Sequence, residues 1–140
     1  GRKIGIAEAS AQDAALIADL LARMAEGRAD FTNTFRGLLD GTARDQFLDR
    51  AAFDTWEPLW RARIAREPDP EAVMRAANPA FIPRNHRVEQ MIEAAVAGDY
   101  APFERLLDVL ACPYTDQPDA DDLKRPPTPA EVVENTFCGT

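Results

Sequence analysis

The chain has few of the residues from which catalytic and metal sites are usually built. It contains one histidine, His86, and two cysteines, Cys112 and Cys138. The cysteines form no Cys-x-x-Cys pair and have no histidine beside them, so their spacing does not favour a zinc site. No nucleophile motif surrounds His86, which is interpreted as a helix-terminal or surface residue. Nor can the sequence single out a catalytic carboxylate pair from its many Asp and Glu residues. We therefore expect no catalytic residue and no metal-binding residue in this chain.

Glycine-rich loops and basic clusters are also lacking. The seven glycines are scattered along the chain, and none forms a loop that would hold a phosphate against several backbone N–H groups. The net charge is −8, and a negative field repels both nucleic acid and anionic membrane surfaces. The sequence therefore predicts no cofactor bound by this chain, no nucleic-acid partner and no membrane partner.

Long apolar runs and dense cysteine patterns are absent as well. No apolar stretch approaches the roughly 20 residues that span a bilayer, and no export signal is visible. Two cysteines are too few for a disulfide-stapled scaffold. These features favour a reducing compartment, and we expect a cytoplasmic location.

What the chain does have is the composition of a helical globular protein. Hydrophobic residues make up 46% and charged residues 29% of the sequence, and alanine and arginine are frequent while β-branched residues are comparatively scarce. The sequence predicts an all-α fold: a small bundle of about five to six amphipathic helices over residues 1–112. An extended, proline-rich acidic tail follows over residues 113–140, with one helical turn near 131–134 and with Cys138 near its end.

Apolar side chains recur three or four residues apart in several segments, which is the helical period. Predicted helices cover residues 11–26, 31–39, 43–51, a stretch through Phe53 and Ile64 to about 67, a short segment from 70 to before Asn78-Pro79, 85–97 and about 100–110.

Individual residues mark several of the predicted helix ends. Ser10 is the predicted N-cap of the first helix, and Gly27 is expected to end it in a left-handed conformation. Thr42 with Asp45 three residues later is similar to a capping box. Asp30, Asp69 and Asp99 are the N-caps predicted for later helices.

Pro58 interrupts the segment that contains the two tryptophans. It is compatible with a helix if Thr55 is the N-cap, because proline then lies in the first turn. If instead one helix runs through from Ala43, we expect a kink at Pro58.

Trp56 and Trp60 lie on one face of their predicted helix. The simpler interpretation is core packing, since indoles contribute a large apolar area. The alternative is that they form a docking surface for another domain. Arg61, Arg63 and Arg66 lie beside them, and a solvated face is favoured over an anion site.

Several strings, taken in order, resemble the C-terminal region of the selenoprotein O family. The segment 30–36 (DFTNTFR) matches the family's D-[YF]-T-x-T-F-R element, and 78–85 (NPAFIPRN) is similar to its NP-x-[YF]-x-x-RN element. A Gly-Asp step in 94–99 leads into 106–110 (LLDVL) and then Pro113-Tyr114. Paired prolines at 126–127 precede a cysteine at the third position from the end.

The resemblance implies a particular parent protein. Members of the family have a kinase-like fold that departs from the usual kinase motifs, and they transfer AMP from ATP to protein Ser, Thr or Tyr hydroxyls. Such chemistry uses a metal ion, here magnesium, at the phosphates. All of those catalytic positions belong to an upstream kinase-like domain. The resemblance thus implies that this chain is a non-catalytic accessory or regulatory domain, whose partners are the upstream domain and, through the parent, its protein substrates.

One residue carries over from the family. Cys138 matches the C-terminal position that is selenocysteine in some members, which implies a redox role. The sequence departs from the common Cys-Ser-Ser ending, since Gly139 and Thr140 follow the cysteine. Cys112 matches no family cysteine.

Two other functions remain open at this point. The chain could be a freestanding helical interaction module that docks a partner through the face carrying Trp56 and Trp60. It could also be an independent enzyme, which would need a site that the sequence does not reveal.

Overall fold

The fold consists of helices and connecting loops throughout the part of the chain that the structure describes, residues 1–134 of a computed structural model. The predicted all-α class is confirmed. The α-helices within these residues are α1 (Ala11–Glu26), α2 (Phe31–Gly37), α3 (Arg50–Ile64), α4 (Pro70–Ala77), α5 (Asn85–Val96) and α6 (Ala101–Ala111). Short 3-10 helices lie at Arg2–Ile4, Ala43–Gln46, Pro118–Lys124 and Pro129–Glu131.

The contacts divide the chain into two compact units, Gly1–Pro79 and Ala80–Thr140. The predicted division into a helical domain over residues 1–112 and a tail over residues 113–140 stays a prediction. Each unit has its own cluster of buried apolar side chains.

The core of the first unit is built from α1 to α4 and the two short 3-10 helices. α1 packs against α3, and the 3-10 helix Arg2–Ile4 packs against α4. Buried apolar residues of this core are Ile4, Ile6, Leu20, Met24, Phe35, Leu38, Ala43, Phe47, Phe53, Trp56, Trp60 and Met74. Those from α1, α2 and α3 lie on the apolar faces that the helical period predicted, whereas Ile4, Ile6 and Phe47 lie outside the α-helices.

α3 begins between the two starts that the interpretations of Pro58 offered, after Ala43 and before Thr55. Its N-cap is Asp49, whose carboxylate accepts a hydrogen bond from the N–H of Ala51 at 3.0 Å. The prediction that Thr55 is the N-cap is wrong, since the hydroxyl of Thr55 donates to the carbonyl of Ala51 inside the helix, at 3.1 Å. Pro58 lies within the helix. Interior proline costs about 3 kcal/mol, which the continuous burial of Phe53 and the two indoles on one face outweighs.

Two other predicted caps differ in detail. Gly27 follows α1 with φ −81°, and the left-handed residue is Arg28 with φ 50°. Glycine at position 27 has a packing reason instead, because a Cβ there would lie 3.0 Å from the ring of Phe47. Thr42 makes no capping bond to the following helix; its hydroxyl donates to the carboxylate of Asp40 at 2.6 Å.

The second unit is an α5–α6 hairpin with a chain segment packed on it. Gly98, with φ +91°, forms the turn between the two helices, which pack against each other. The buried apolar cluster consists of Ala80, Phe81, Leu106, Val109, Ala120 and Leu123. Residues 118–124, predicted as extended tail, instead form a 3-10 helix that supplies the last two of these side chains.

The helical turn predicted near 131–134 lies slightly earlier, at Pro129–Glu131. The carboxylate of Glu131 accepts from the N–H and the hydroxyl of Thr128 at 3.1 and 2.9 Å. In residues 1–134, no helix combines the length and the apolar character that crossing a bilayer requires.

Candidate functional site

Trp56 and Trp60 lie in the core of the first unit. Their rings stack with centroids 5.6 Å apart and an interplanar angle of 12°, and their exposures are 0% and 1%. Each indole N–H has a backbone acceptor, the carbonyl of Leu16 at 3.0 Å for Trp56 and of Ile4 at 2.8 Å for Trp60. Direct docking through these indoles would need them to be exposed. The large apolar side chain that α3 does expose is Leu59.

Two of the three arginines beside the tryptophans, Arg61 and Arg63, are matched by carboxylates. Arg63 donates to both carboxylate oxygens of Asp13, at 2.6 and 3.2 Å, and to Glu67 at 2.8 Å. These hydrogen bonds hold the pKa of Asp13 well below its usual range and raise the pKa of Arg63. Arg61 pairs with Glu57 at 2.6 Å.

The pKa of Glu67 is also lowered, first by its hydrogen bond from Arg63 and then by the N–H of Ala7. The crevice beside this cluster is lined by Ser10, Gln12, Asp13, Leu16, Arg63, Arg66 and Glu67. The positive charge of Arg63 is already compensated by two carboxylates. Arg66, which lines the same crevice, is exposed to solvent.

The two strongest sequence motifs meet in the core of the first unit. Arg36, from the segment DFTNTFR, donates to the carbonyl of Asn78 at 3.0 Å. The side-chain amide of Asn78, which is fully buried, donates to the carbonyls of Lys3 and Phe35 at 2.8 and 3.3 Å. Lys3 in turn donates to the carbonyl of Ala77 at 3.0 Å. These residues hold three chain segments together.

Backbone hydrogen bonds likewise join two chain segments of the second unit. The N–H groups of Ala80 and Phe81 both donate to the carbonyl of Pro113, at 2.8 and 3.1 Å. The ammonium of Lys124 lies 5.2 Å from the ring centroid of the buried Phe81, within cation–π range. Residues of the motifs 30–36 and 78–85, and Pro113, therefore serve packing and hydrogen bonding within their units.

His86 is a helix-terminal residue, which is one of the two predicted settings, but it is buried and does not lie at the surface. It lies in the first turn of α5 with 3% exposure, and neither ring nitrogen has a hydrogen-bond partner. Burial, followed by the charge of Arg87, lowers the pKa of His86, so the imidazole is neutral at pH 7. A buried polar group without a partner is uncommon in folded proteins, which makes His86 a residue that requires explanation. The one feature of the sequence that drew attention to His86 is that it is the only histidine in the chain.

The imidazole lines a crevice of about 530 Å³ in the second unit. One wall comes from α5, where His86, Glu89 and Glu93 fall three and four residues apart on one face. The opposite wall is formed by residues 130–134, which contribute Glu131. No three His, Cys, Asp or Glu side chains in residues 1–134 are grouped so that they could hold a metal ion.

The structure describes one of the two cysteines. Cys112 is an exposed free thiol at the end of α6. Cys138, the predicted redox residue, lies outside the described residues.

Comparison with known proteins decides the family. A protein nucleotidyltransferase YdiU of Ruegeria sp. (strain TM1040) is 62% identical over 138 residues, which is 99% of this chain and 29% of that protein. The YdiU protein of Ruegeria pomeroyi is 63% identical over the same length, and that of Rhodopseudomonas palustris (strain BisB5) 52% over 151 residues. The chain is a C-terminal region of the selenoprotein O family.

The match is to a part of those proteins. The chain spans about three tenths of the length of the curated relatives it matches, 29–31%. No family model matches the chain.

Proposed function

We propose that this chain is a non-catalytic accessory and regulatory region of a protein nucleotidyltransferase. The observation that carries the proposal is the 62% identity to a YdiU protein along 99% of the chain but over only 29% of that relative. In this proposal an upstream kinase-like domain of the same polypeptide binds ATP and magnesium and transfers AMP to hydroxyls of protein substrates. That polypeptide is cytoplasmic in this proposal, on the basis of the low cysteine content.

The chemistry of the site agrees with a supporting role. The family motifs are used for buried hydrogen bonds, as between Arg36 and Asn78. The charged cluster of Arg63, Asp13 and Glu67 is internally compensated. Such a scaffold can hold a neighbouring domain in place without contributing reacting groups.

The experiment compares AMP transfer by the full-length protein and by this 140-residue chain, using labelled ATP and a protein acceptor. The expected result is transfer by the full-length protein and none by the chain alone. Transfer by the isolated chain would contradict the non-catalytic assignment. An inactive full-length protein would contradict the nucleotidyltransferase assignment.

We further propose that Cys138 gives the parent a redox response, through a thiolate that pairs with another cysteine of the parent. A terminal cysteine can take part in thiol–disulfide exchange when it is accessible as a thiolate. The test measures AMP transfer by the full-length protein with and without oxidant, in the wild type and in the Cys138→Ser variant. Cys112→Ser is the matched control, because it removes an exposed thiol from the same chain.

The expected result is that the effect of oxidant disappears in Cys138→Ser and persists in Cys112→Ser. If wild type and Cys138→Ser respond identically to oxidant, the redox role is excluded, while the accessory role is unaffected.

A further inference from the structure

The α5–α6 hairpin has two broad sides, and the segment 118–124 covers one of them. Leu123 of this segment belongs to the buried apolar cluster. The backbone carbonyl of Asp122 accepts from Arg87 on α5 at 2.9 Å, and its carboxylate accepts from Arg105 on α6 at 2.6 Å. Arg87 and Arg105 therefore mark the covered side of the two helices.

The opposite side of the hairpin carries exposed apolar side chains. At about 100° per residue, Val96 lies half a turn around α5 from Arg87, and Leu107 lies about half a turn around α6 from Arg105. An exposed apolar residue precedes each of them by four positions, so this side is apolar on both helices. The hairpin face consists of Ile92, Val96, Phe103 and Leu107. Exposed apolar residues grouped in this way are typical of an interaction surface.

The hairpin face is bordered by negative charge. Four carboxylates fall beside its residues on the helical period and have no ion-pair partner among residues 1–134: Glu89, Glu93, Glu104 and Asp108. The positive charges of the two helices, on Arg87 and Arg105, are engaged with Asp122 on the covered side. The face therefore combines an apolar centre with an acidic border, which is complementary to apolar side chains bordered by Arg or Lys.

A second copy of this chain does not fit that description. In a symmetric dimer the same surface meets itself, so the acidic border of one copy would lie against that of the other, and like charges repel. The net charge of the chain, −8, adds to that repulsion.

We propose that the hairpin face is covered by the upstream part of the same polypeptide, through apolar side chains bordered by Arg or Lys. This chain amounts to 29% of the length of a relative that it matches almost throughout, so most of such a polypeptide is available as the occupant. A covalently attached partner is present at an effective concentration that favours docking without a large contact area. The inference rests on the proposed function in one respect, that this chain is a region of a longer protein, and it does not rest on AMP transfer.

Thiol reactivity tests whether the face is covered. Val96→Cys and Leu107→Cys are made singly, in this 140-residue chain and in the full-length protein, and their reaction rates with N-ethylmaleimide are followed by peptide mass spectrometry. Cys112, an exposed thiol of the same unit outside the hairpin face, is the internal control. We expect both introduced thiols to react at least about tenfold more slowly in the full-length protein, because only its undocked fraction reacts. Cys112 should react similarly in the two proteins.

Charge reversal tests the acidic border. Glu93→Lys with Glu104→Lys, added to Val96→Cys, places positive charge on both edges of the face. The rate in the full-length protein should then equal the rate in the chain that carries the same substitutions. Comparing each variant in both proteins removes any effect of the new lysines on the thiol itself. Glu8→Lys with Glu26→Lys makes the same change at exposed positions of the first unit and should leave the slower reaction in place.

Equal rates at positions 96 and 107 in the two proteins would overturn the proposal. Slow reaction in the chain alone would also overturn it, since the cover would then be the chain itself or a second copy. Slowing that includes Cys112, or that survives the charge reversal, would contradict it as well. AMP transfer by the full-length protein is measured in parallel. An inactive protein with a protected face contradicts the nucleotidyltransferase assignment alone, and an active protein with an open face contradicts this inference alone.

Discussion

Replacing Asn78 by leucine should strongly destabilise the first unit. The side-chain amide is fully buried and donates to the carbonyls of Lys3 and Phe35, at 2.8 and 3.3 Å. Leucine has a similar volume but no donor, so both carbonyls would be left in the core without this partner. Each orphaned acceptor costs roughly 1–3 kcal/mol. Because the bond to Phe35 is long, we expect a total loss of about 3 kcal/mol.

The assay is urea unfolding followed by tryptophan fluorescence. Both tryptophans of the chain, Trp56 and Trp60, are buried in the first unit, so the signal reports on that unit alone. A loss of this size lowers the urea midpoint by about 2 M for a small domain. Gln12→Leu, at an exposed position of α1, is the control and should change stability by less than about 0.5 kcal/mol. An Asn78→Leu midpoint equal to that of the control would refute the argument that this amide holds the segments together.

Three further predictions follow from the same structure. Gly37→Ala should cost about 3 kcal/mol by the fluorescence assay, at the upper end of overpacking penalties, because a Cβ there would lie 2.5 Å from the backbone nitrogen of Ala43; an unchanged midpoint would contradict it. Asp13 has a folded-state pKa below its unfolded value, so its contribution is present above about pH 4 and is lost as the pH falls further. Asp13→Asn should therefore weaken the decline of the urea midpoint in acid, and an identical decline would argue against the Arg63 pairing. The imidazole of His86, followed by NMR, should titrate with a pKa below the ordinary value of 6.5. The second unit should lose stability as the pH falls below 6.5, because the unfolded chain binds the proton more readily. A titration midpoint at or above pH 6.5 would contradict the burial of His86.

The helices were predictable where an apolar period and a cap coincide. α1 with Ser10 and α2 with Asp30 follow this pattern, and their observed bounds lie within two residues of the prediction. The same local logic failed at Thr55, where proline chemistry suggested a helix start. There the tertiary burial of Phe53, which lies before Thr55, decided the outcome in favour of a start at Asp49.

The candidate site was less predictable, because its properties depend on partners distant in the sequence. Asn78 and Lys3 are separated by 75 residues, and no local pattern reveals that the amide is buried between two backbone carbonyls. His86 has the sequence context of a helix start, and the crevice that it lines is shared with residues 130–134, which the sequence suggested to be part of an extended tail. The packing of Trp56 and Trp60 was one of two open interpretations that periodicity alone could not separate.

The hydrogen bonds from Ala80 and Phe81 to the carbonyl of Pro113 join the chain before α5 to the chain after α6, at the base of the α5–α6 hairpin. The turn at Gly98 lies at the other end, where a Cβ would meet no atom within 4 Å. A hairpin fixed at its base and open at its tip can accept added residues at the tip without disturbing its helices. The Gly98 turn is accordingly a suitable place to insert an affinity tag or a fluorescent reporter into this chain while leaving both ends of the sequence as they are.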